Sequence, residues 1–299
     1  MTPLARVLLV AGLSGAAACG FDGRATRDTG ATVGADAAPA PTTTPSNPGP
    51  NDSGLPPVDG GSDTSLPVVT CEDRVLSFDG VDDAVTVPDS SDLDLKNDFT
   101  VEAWIKPGPT AVDVDEMDIV SHHDADNSKG WALLVRAGRV ELVVFGVDGL
   151  GGKGYSAGNA GPTYVVPDKW AHVAGTLAGS TLRIYYDGIL RDSQELGTFF
   201  GRRTFTGALR FGRSAAAADL PYAGLLDDVR LSKEARYTGP VAPKPTAALP
   251  ADPKTVAAWR FDEPSGSVLI DAANKSHDGS IAPDVTAATR VSAPCINAR

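Results

Sequence analysis

Residues that could do chemistry are most concentrated between positions 113 and 131. The segment SHHDADNSKGW (121–131) joins two neighbouring histidines to two aspartates, an asparagine and a tryptophan. Aromatic, amide and carboxylate groups together on a loop suit the recognition of a sugar. We therefore predict His123, Asp124 and Trp131 as ligand contacts. The alternative is a hairpin loop without function, in which Trp131 belongs to the core.

Catalytic chemistry finds little support in the sequence. The chain has four histidines, His122, His123, His172 and His277, and no His-Glu-x-x-His element that would indicate a zinc peptidase. The acidic run VDVDEMD (112–118) is predicted to be a solvated loop. We predict that the protein is not an enzyme.

The elements that must position these residues are short strands. From Val68 onwards, β-branched, aromatic and apolar runs alternate with Gly, Asp, Asn and Pro, which is typical of sandwiches and barrels. Asp187-Gly188 suits the positive φ angles of a two-residue hairpin turn. The predicted strands are 75–78, 84–87, 99–106, 117–121, 131–136, 139–145, 170–177, 181–186, 208–211, 223–231 and 256–261. The sequence predicts an all-β fold, an antiparallel β-sandwich of jelly-roll type.

Two segments precede this predicted domain, which covers 68–299. Residues 1–18 contain a short apolar run that ends in small residues, as a secretory signal peptide does. Residues 19–67 are rich in Pro, Ser, Thr, Gly, Asp and Ala, and such a composition buries too little apolar surface to fold. We predict a disordered tether there.

The charge of the chain is acidic. The net charge is −12 over the whole sequence, and residues 68–299 hold 23 Lys and Arg against 32 Asp and Glu, a net −9. An acidic domain repels phosphate backbones. We therefore exclude nucleic acid as a partner.

The chain has three cysteines. Cys71 and Cys295 stand at the two ends of the predicted domain, which in an exported protein indicates one disulfide. The bond would close a loop of 225 residues, for which loop entropy gives an upper estimate of roughly 5 kcal/mol. Two unpaired thiols are the alternative.

The remaining cysteine follows the signal segment. Ala16-Ala17-Ala18-Cys19 resembles a bacterial lipobox, in which the cysteine is lipidated, although such sites usually have Leu in place of Ala16. The resemblance implies lipidation of Cys19, with ordinary signal cleavage as the alternative. Gly20 is not the Asp that retains lipoproteins at the inner membrane, so the resemblance implies a lipid-anchored protein of the outer membrane.

Four blocks of the predicted domain resemble one family. The blocks at 76–107, 169–190, 208–214 and 222–237 are similar, in order and spacing, to LamG-like jelly-roll domains of the concanavalin A-like lectin/glucanase superfamily. A fifth block, AAWRFDEPSGSVLIDAANKSHDGSI (257–281), resembles the first strand of that family but stands last. We expect it to return and complete a single sandwich.

The resemblance also implies chemistry. Many such domains hold a structural calcium, and Asp79 or Asp227 lies where the family tends to place metal-linked acids. The alternatives are turn chemistry at Asp79 and an ordinary strand-edge acid at Asp227. The superfamily members that cleave β-glucans carry a Glu-x-Asp-x-x-Glu strand, which is absent from this sequence.

These observations together predict a function. We expect a non-catalytic envelope or cell-surface lipoprotein, anchored to the membrane by its N-terminal lipid, whose jelly-roll domain binds a carbohydrate or an extracellular protein. A glycan-active enzyme of the same superfamily and a purely structural envelope module are the alternatives.

Overall fold

The computed structural model describes residues 72–148, 151–159, 164–197, 200–214, 221–281 and 288–295. The chain divides into two units, residues 1–64 and 65–299, and all of the described residues belong to the second. The predicted signal peptide and tether, together with Cys19 and Cys71, lie outside the described residues. Within the described ranges, no helix is long and apolar enough to cross a membrane.

Seventeen strands and two short 3-10 turns, Ser91–Asp94 and Pro109–Val112, make up the secondary structure of the described residues. The strands are β1 Glu72–Asp79, β2 Val85–Val87, β3 Phe99–Pro107, β4 Glu116–His123, β5 Gly130–Arg136, β6 Arg139–Asp148, β7 Gly151–Ala157, β8 Ala171–Ala178, β9 Thr181–Tyr186, β10 Ile189–Glu195, β11 Gly201–Arg202, β12 Leu209–Phe211, β13 Ala223–Ser232, β14 Thr255–Trp259, β15 Val268–Leu269, β16 Gly279–Ile281 and β17 Thr289–Pro294.

The strands form two antiparallel sheets. Sheet A has the order β10-β9-β8-β3-β13-β1-β17, with β14 also paired to β13. Sheet B has the order β11-β6-β5-β4-β12-β2-β16-β15, with β7 also paired to β6. Two sheets of this kind form a sandwich because each must bury one apolar face against the other. The predicted all-β sandwich is confirmed.

The main core lies between the sheets and follows the period-two alternation of the strands. On β5, Trp131, Leu133 and Val135 belong to this core. The alternate residues Ala132 and Leu134 form a separate buried cluster on the other side of the sheet. This alternation fixes which side chains of sheet B can meet a ligand.

The C-terminal residues complete the same sandwich. Strand β14 pairs with β13, placing Trp259 opposite Val229 in sheet A. Strand β16 pairs with β2 in sheet B, and β17 pairs with β1 in sheet A. The Trp259 ring lies edge-on to Phe211, 4.9 Å away in the core. The expectation that the last block returns to close one sandwich is confirmed.

The predicted hairpin turn is also observed. Asp187 and Gly188 have φ angles of 51° and 76°, and they join Tyr186 to its partner Ile189 at the end of the β9–β10 ladder. Positive φ at both central residues is the property that a right-twisted two-residue hairpin requires.

Candidate functional site

The outer face of sheet A is covered by the chain itself. Residues 233–254, which we call the strap, connect β13 to β14 and cross this face. Thr100 Oγ1 donates to Glu234 O at 2.8 Å, Thr176 Oγ1 donates to Tyr237 O at 3.1 Å, and Tyr185 OH donates to Gly239 O at 2.8 Å. These three hydrogen bonds come from three neighbouring strands, so the centre of the face is closed to a ligand.

A buried carboxylate lies beneath the strap. Glu102 has no exposed surface. It accepts hydrogen bonds from Arg230 Nε at 2.9 Å and Tyr237 OH at 2.7 Å, and its Oε2 lies 3.2 Å from His172 Nε2. Burial raises the pKa of Glu102, but His172, Arg230 and Tyr237 outweigh burial and leave it below the usual value. The charge is therefore matched within the protein, and the network holds the strap in place.

The outer face of sheet B carries the polar residues that could meet a ligand. Glu116, Asp118, Ser121 and His123 of β4 point to this side, because a bulge between Asp118 and Val120 shifts the register by one residue. Asp118 has no exposed surface, so the prediction that VDVDEMD is a solvated loop is wrong for this residue. A bulge re-aims the side chains that follow it.

This arrangement includes a spacing that sequence reasoning missed. Glu116, Asp118 and Ser121 stand at the three positions of a Glu-x-Asp-x-x-Glu strand, with serine in place of the second glutamate. Ser121 Oγ donates to Arg213 O at 2.8 Å and is fully buried. A pair of carboxylates is needed for acid and base work on a glycosidic bond, and serine supplies neither role.

Ser214, His123 and Asp118 are also adjacent, but they do not form a relay. His123 Nε2 lies 3.2 Å from Asp118 Oδ2 and 3.3 Å from Ser214 Oγ, so both partners meet the same ring nitrogen. In a catalytic triad the acid binds Nδ1 and the nucleophile binds Nε2. Burial lowers the pKa of His123, but the hydrogen bond and charge of Asp118 outweigh it and raise the pKa. His123 is therefore an ion-pair partner rather than a base.

The chain also contains one Gly-x-Ser-x-Gly string, which sequence reasoning missed. It spans Gly154 to Gly158, and its serine lies within strand β7. A nucleophile elbow needs a sharp turn between a strand and a helix. Since Ser156 stands in a regular ladder opposite Val143, the string is not such an elbow.

The exposed part of this face lies beside the β5–β6 hairpin. We call Glu116, Arg136, Arg139, Glu141 and Tyr164 the hairpin-end cluster. Arg136 donates from Nε to Glu116 at 2.5 Å and from Nη1 to Glu141 at 2.7 Å. Burial raises the pKa of Glu141, and the charge of Arg136 offsets this only in part. Arg136 of β5 thus bridges two carboxylates that lie on the strands on either side of it, β4 and β6.

The aromatic member of the cluster is Tyr164. Tyr164 is 52% exposed. An isolated antiparallel β-bridge pairs its backbone with that of Arg139, the first residue of β6. Arg139 Nη2 donates to the Tyr164 hydroxyl at 2.6 Å, and the guanidinium lies 4.6 Å from the centre of the ring. Tyr164 was not among the predicted ligand contacts.

The ligand contacts predicted in 121–131 are not brought together. Trp131 has no exposed surface, and its Nε1 donates to Leu93 O at 3.0 Å inside the core. Asp124 holds its own loop, since it accepts from Ser128 N at 2.7 Å and Lys129 N at 3.0 Å. Because Trp131 is paired with the inward-facing His122, period two forces it into the core. It is therefore removed from the candidate site.

A possible cation site lies at the end of β1. Asp79, Asp82 and Asp83 each offer an oxygen within 4.8 Å of the others. Asp83 is 5% exposed, and one of its oxygens accepts from Asp79 N at 2.7 Å. Its Oδ1 is buried without a hydrogen-bond partner among the described residues. Burial, followed by repulsion from Asp79 and Asp82, raises the pKa of Asp83. A cluster of hard oxygens suits calcium.

Asp227 does not belong to this cluster. Asp79 pairs with Ala223, four residues before Asp227 on β13, which places the two backbones about 13 Å apart. Asp227 is 1% exposed and lies opposite Trp104 of β3. Of the two aspartates predicted as alternative calcium ligands, Asp79 therefore lies in the cluster and Asp227 does not.

Comparison with known proteins identifies the fold. A family model of the concanavalin A-like lectin/glucanases superfamily matches residues 79–242. No protein with a curated description matches the sequence. A Bacteroides ovatus protein to which carbohydrate binding has been ascribed superposes with a TM-score of 0.51 at 17% identity, over 75% of this chain and 60% of that one. At this identity the likeness shows the fold.

Two further solved structures resemble the chain over a smaller part. The heptameric SAP-like pentraxin of Limulus polyphemus has a TM-score of 0.39 at 18% identity, over 55% of this chain and 77% of that one. The CBM40 module of a Ruminococcus gnavus sialidase has a TM-score of 0.43 at 12% identity, over 56% of this chain and 93% of that one.

Proposed function

The chain belongs to the concanavalin A-like lectin/glucanases superfamily, and from that premise we propose that it is a non-catalytic carbohydrate-binding protein of the bacterial cell envelope. One observation carries the proposal. The strap covers the centre of sheet A's outer face, whereas the hairpin-end cluster on sheet B presents an exposed aromatic ring among charged groups.

The chemistry of the hairpin-end cluster suits a sugar. A tyrosine ring offers a flat apolar surface with a polar tip, against which the C–H face of a pyranose can pack. Arg136 and Arg139 are hydrogen-bond donors and Glu116 is an acceptor, whereas Glu141 is buried (2% exposed) and holds Arg136 in position. Neighbouring hydroxyls of a sugar need both kinds of partner. Since Arg136 already joins the two carboxylates, the groups are ordered before a ligand arrives, which lowers the entropy cost of binding.

The same residues support binding rather than hydrolysis. Ser121 stands where a Glu-x-Asp-x-x-Glu strand would have its second glutamate, and Arg136 is hydrogen-bonded to both Glu116 and Glu141. The alternative function, hydrolysis of a glycan, keeps one argument, the raised pKa of Glu141, because a general acid needs such a pKa.

A glycan array probed with the purified full-length protein tests the proposal. We expect binding to at least one glycan, weakened roughly tenfold by Tyr164→Ala because a stacked aromatic contact contributes about 1 kcal/mol or more. Val241→Ala removes an exposed side chain elsewhere (73% exposed) and should leave binding unchanged. If the protein bound no glycan on the array and a protein partner were found by cross-linking, the ligand would be a protein rather than a carbohydrate. Release of reducing sugar from a bound glycan would favour the enzyme.

We further propose that a structural calcium is held by Asp79, Asp82 and Asp83. The bound cation would neutralise three carboxylates that otherwise repel one another and would tie the turn after β1 to its strand. The support is the orphaned, buried Oδ1 of Asp83 and the cluster of hard oxygens. Asp227 has no part in this proposal.

We also propose that the protein is anchored to the outer membrane by a lipid on Cys19, with the predicted tether between the anchor and the sandwich. The support is the small-residue run before Cys19. Metabolic labelling with a radioactive fatty acid in a Gram-negative host tests it. Label should enter the wild type and be lost in Cys19→Ser, and equal labelling of both proteins would rule out lipidation at this residue.

A further inference from the structure

A cavity lies at the rim of the sandwich, away from the hairpin-end cluster. It has a volume of about 230 Å³ and is lined by Asp94, Lys96, Arg202, Arg203 and Thr204. The lining comes from the segment after the first 3-10 turn and from the end of β11. Arg203 O accepts from Gly130 N at 2.8 Å, which fixes the wall of the cavity to the start of β5.

Arg202 forms part of this cavity without a counter-ion. Its Nη1 donates to Lys96 O at 2.9 Å and its Nη2 donates to Leu95 O at 2.8 Å. The guanidinium lies 5.1 Å from the centre of the Phe99 ring. Among the described residues, Arg202 makes no ion pair with a carboxylate, and its Nε is buried without a hydrogen-bond partner. The carbonyls of Leu95, Lys96 and Asn97 accept from its two Nη atoms, but among the described residues no carboxylate balances its charge, so the guanidinium leaves a positive potential at the cavity.

The charges around the cavity favour an anion as well. Lys96, Arg202 and Arg203 stand against one carboxylate, Asp94, in a domain whose net charge is −9. The Lys96 side chain is 58% exposed and lies 3.3 Å from Asp94. Its partner Asp94 has a side chain that is 9% exposed, so Lys96 stays beside Asp94 and adds its charge to the rim of the cavity. Within the described part of the chain, the Arg203 side chain has no hydrogen-bond or ion-pair partner.

We propose that this rim cavity binds an oxyanion, the carboxylate of an acidic sugar residue, through the guanidinium fork of Arg203, with the charge of Arg202 adding attraction. Arginine suits this role because its planar fork donates two parallel hydrogen bonds to a carboxylate or a phosphate. The volume lies below the roughly 300 Å³ at which drug-sized pockets begin, so the cavity fits one sugar residue. The site is separate from the hairpin-end cluster and does not depend on it.

Titration calorimetry on the full-length protein tests the inference with three probes: glucuronate, its neutral counterpart glucose, and inorganic phosphate. Glucuronate should bind and glucose should not. Arg203→Gln should weaken glucuronate at least tenfold, since a hydrogen bond to a charged group contributes about 1.5 kcal/mol or more. Affinity should also fall as salt is added. Arg203→Lys keeps the charge but loses the fork, and should weaken binding as well.

Lys169→Gln is the matched control. Lys169 is an exposed residue near Pro107, at the far end of β3 from Phe99 and about 27 Å away, so its loss should leave binding unchanged. Phosphate binding that equals glucuronate binding and falls in Arg203→Gln supports the oxyanion site and identifies a free anion as its ligand. The inference is overturned if neither anion binds, or if Arg203→Gln and Lys169→Gln have equal effects.

Discussion

His122 and His123 are neighbours in the chain, yet their imidazole rings lie on opposite faces of sheet B. His122 points into the core, where its Nε2 lies 3.1 Å from Gly207 O and its ring is 5.3 Å from that of Phe205. His123 points outward and meets Asp118 at 3.2 Å. Burial lowers the pKa of His122. In His123 burial acts in the same direction, but Asp118 outweighs it and the pKa is raised.

The two histidines should therefore contribute to stability in opposite pH ranges. The His123–Asp118 pair stabilises the fold fully below the unfolded pKa of about 6.5, and this contribution is lost as the pH rises through the raised pKa. Urea unfolding of the wild type and His123→Asn between pH 5.5 and 8 measures the effect. The destabilisation caused by the substitution should be largest at the acidic end.

His122→Asn provides the control for this prediction. Because the folded pKa of His122 is lowered, acidification below about 6.5 costs stability in the wild type, and the substitution removes that cost. As the pH falls, the free energy of unfolding should therefore decrease more in the wild type than in His122→Asn. The same pH trend for both variants would contradict the assignment of the two environments.

Removing the charge of Glu102 should destabilise the protein strongly. Glu102 is fully buried and forms an ion pair with Arg230, whose Nη2 lies 2.7 Å from Glu102 Oε1. Removing one partner of a buried ion pair costs about 3 to 5 kcal/mol. We expect a loss of this size for Glu102→Gln by urea unfolding. Glu234→Gln breaks an exposed pair with Lys254 and should cost less than about 1 kcal/mol. Equal losses would mean that the strap is not held by this network.

Calcium should raise the melting temperature of the wild type through Asp83. A ligand that binds the folded state alone stabilises it by an amount that grows with the logarithm of its concentration above its Kd, so the melting temperature should be higher in calcium than in chelator. Asp83→Asn should abolish the response. Asp227→Asn should retain it, because Asp227 lies outside the cluster. An unchanged melting temperature in the wild type would remove the calcium proposal.

Cys71 and Cys295 should be joined by a disulfide. The β1–β17 ladder pairs Glu72 with Pro294 at its end, and Cys295 directly follows. Residues opposite each other in an antiparallel pair have Cα atoms about 4.5 to 5.5 Å apart, which a disulfide can span. Peptide mapping of unreduced protein should yield a linked pair containing both cysteines. Separate alkylated peptides would refute the bond, and otherwise Cys295→Ser should lower stability by up to about 5 kcal/mol.

Local signals in the sequence located eleven of the seventeen strands of the described residues and the hairpin between β9 and β10. Runs of β-branched, aromatic and apolar residues between Gly, Asp, Asn and Pro marked these strands, and Asp187-Gly188 specified its hairpin. These features depend on residues within a few positions of each other, where side-chain period and backbone φ preference act directly. The displaced block around Trp259 was also readable, because its residues resemble the first strand of the family.

The tertiary structure alone decided where the polar groups meet. The bulge after Asp118 turns Asp118 and Ser121 to the same face, and a period-two pattern cannot reveal an inserted residue. Arg202 meets the Leu95 carbonyl across 107 positions, and Arg136 joins Glu116 and Glu141 only because β4, β5 and β6 are neighbours. Such contacts depend on strand order and register, which long-range packing sets. The sequence therefore determined the framework of this protein, whereas the packed sheets decided its candidate binding surfaces.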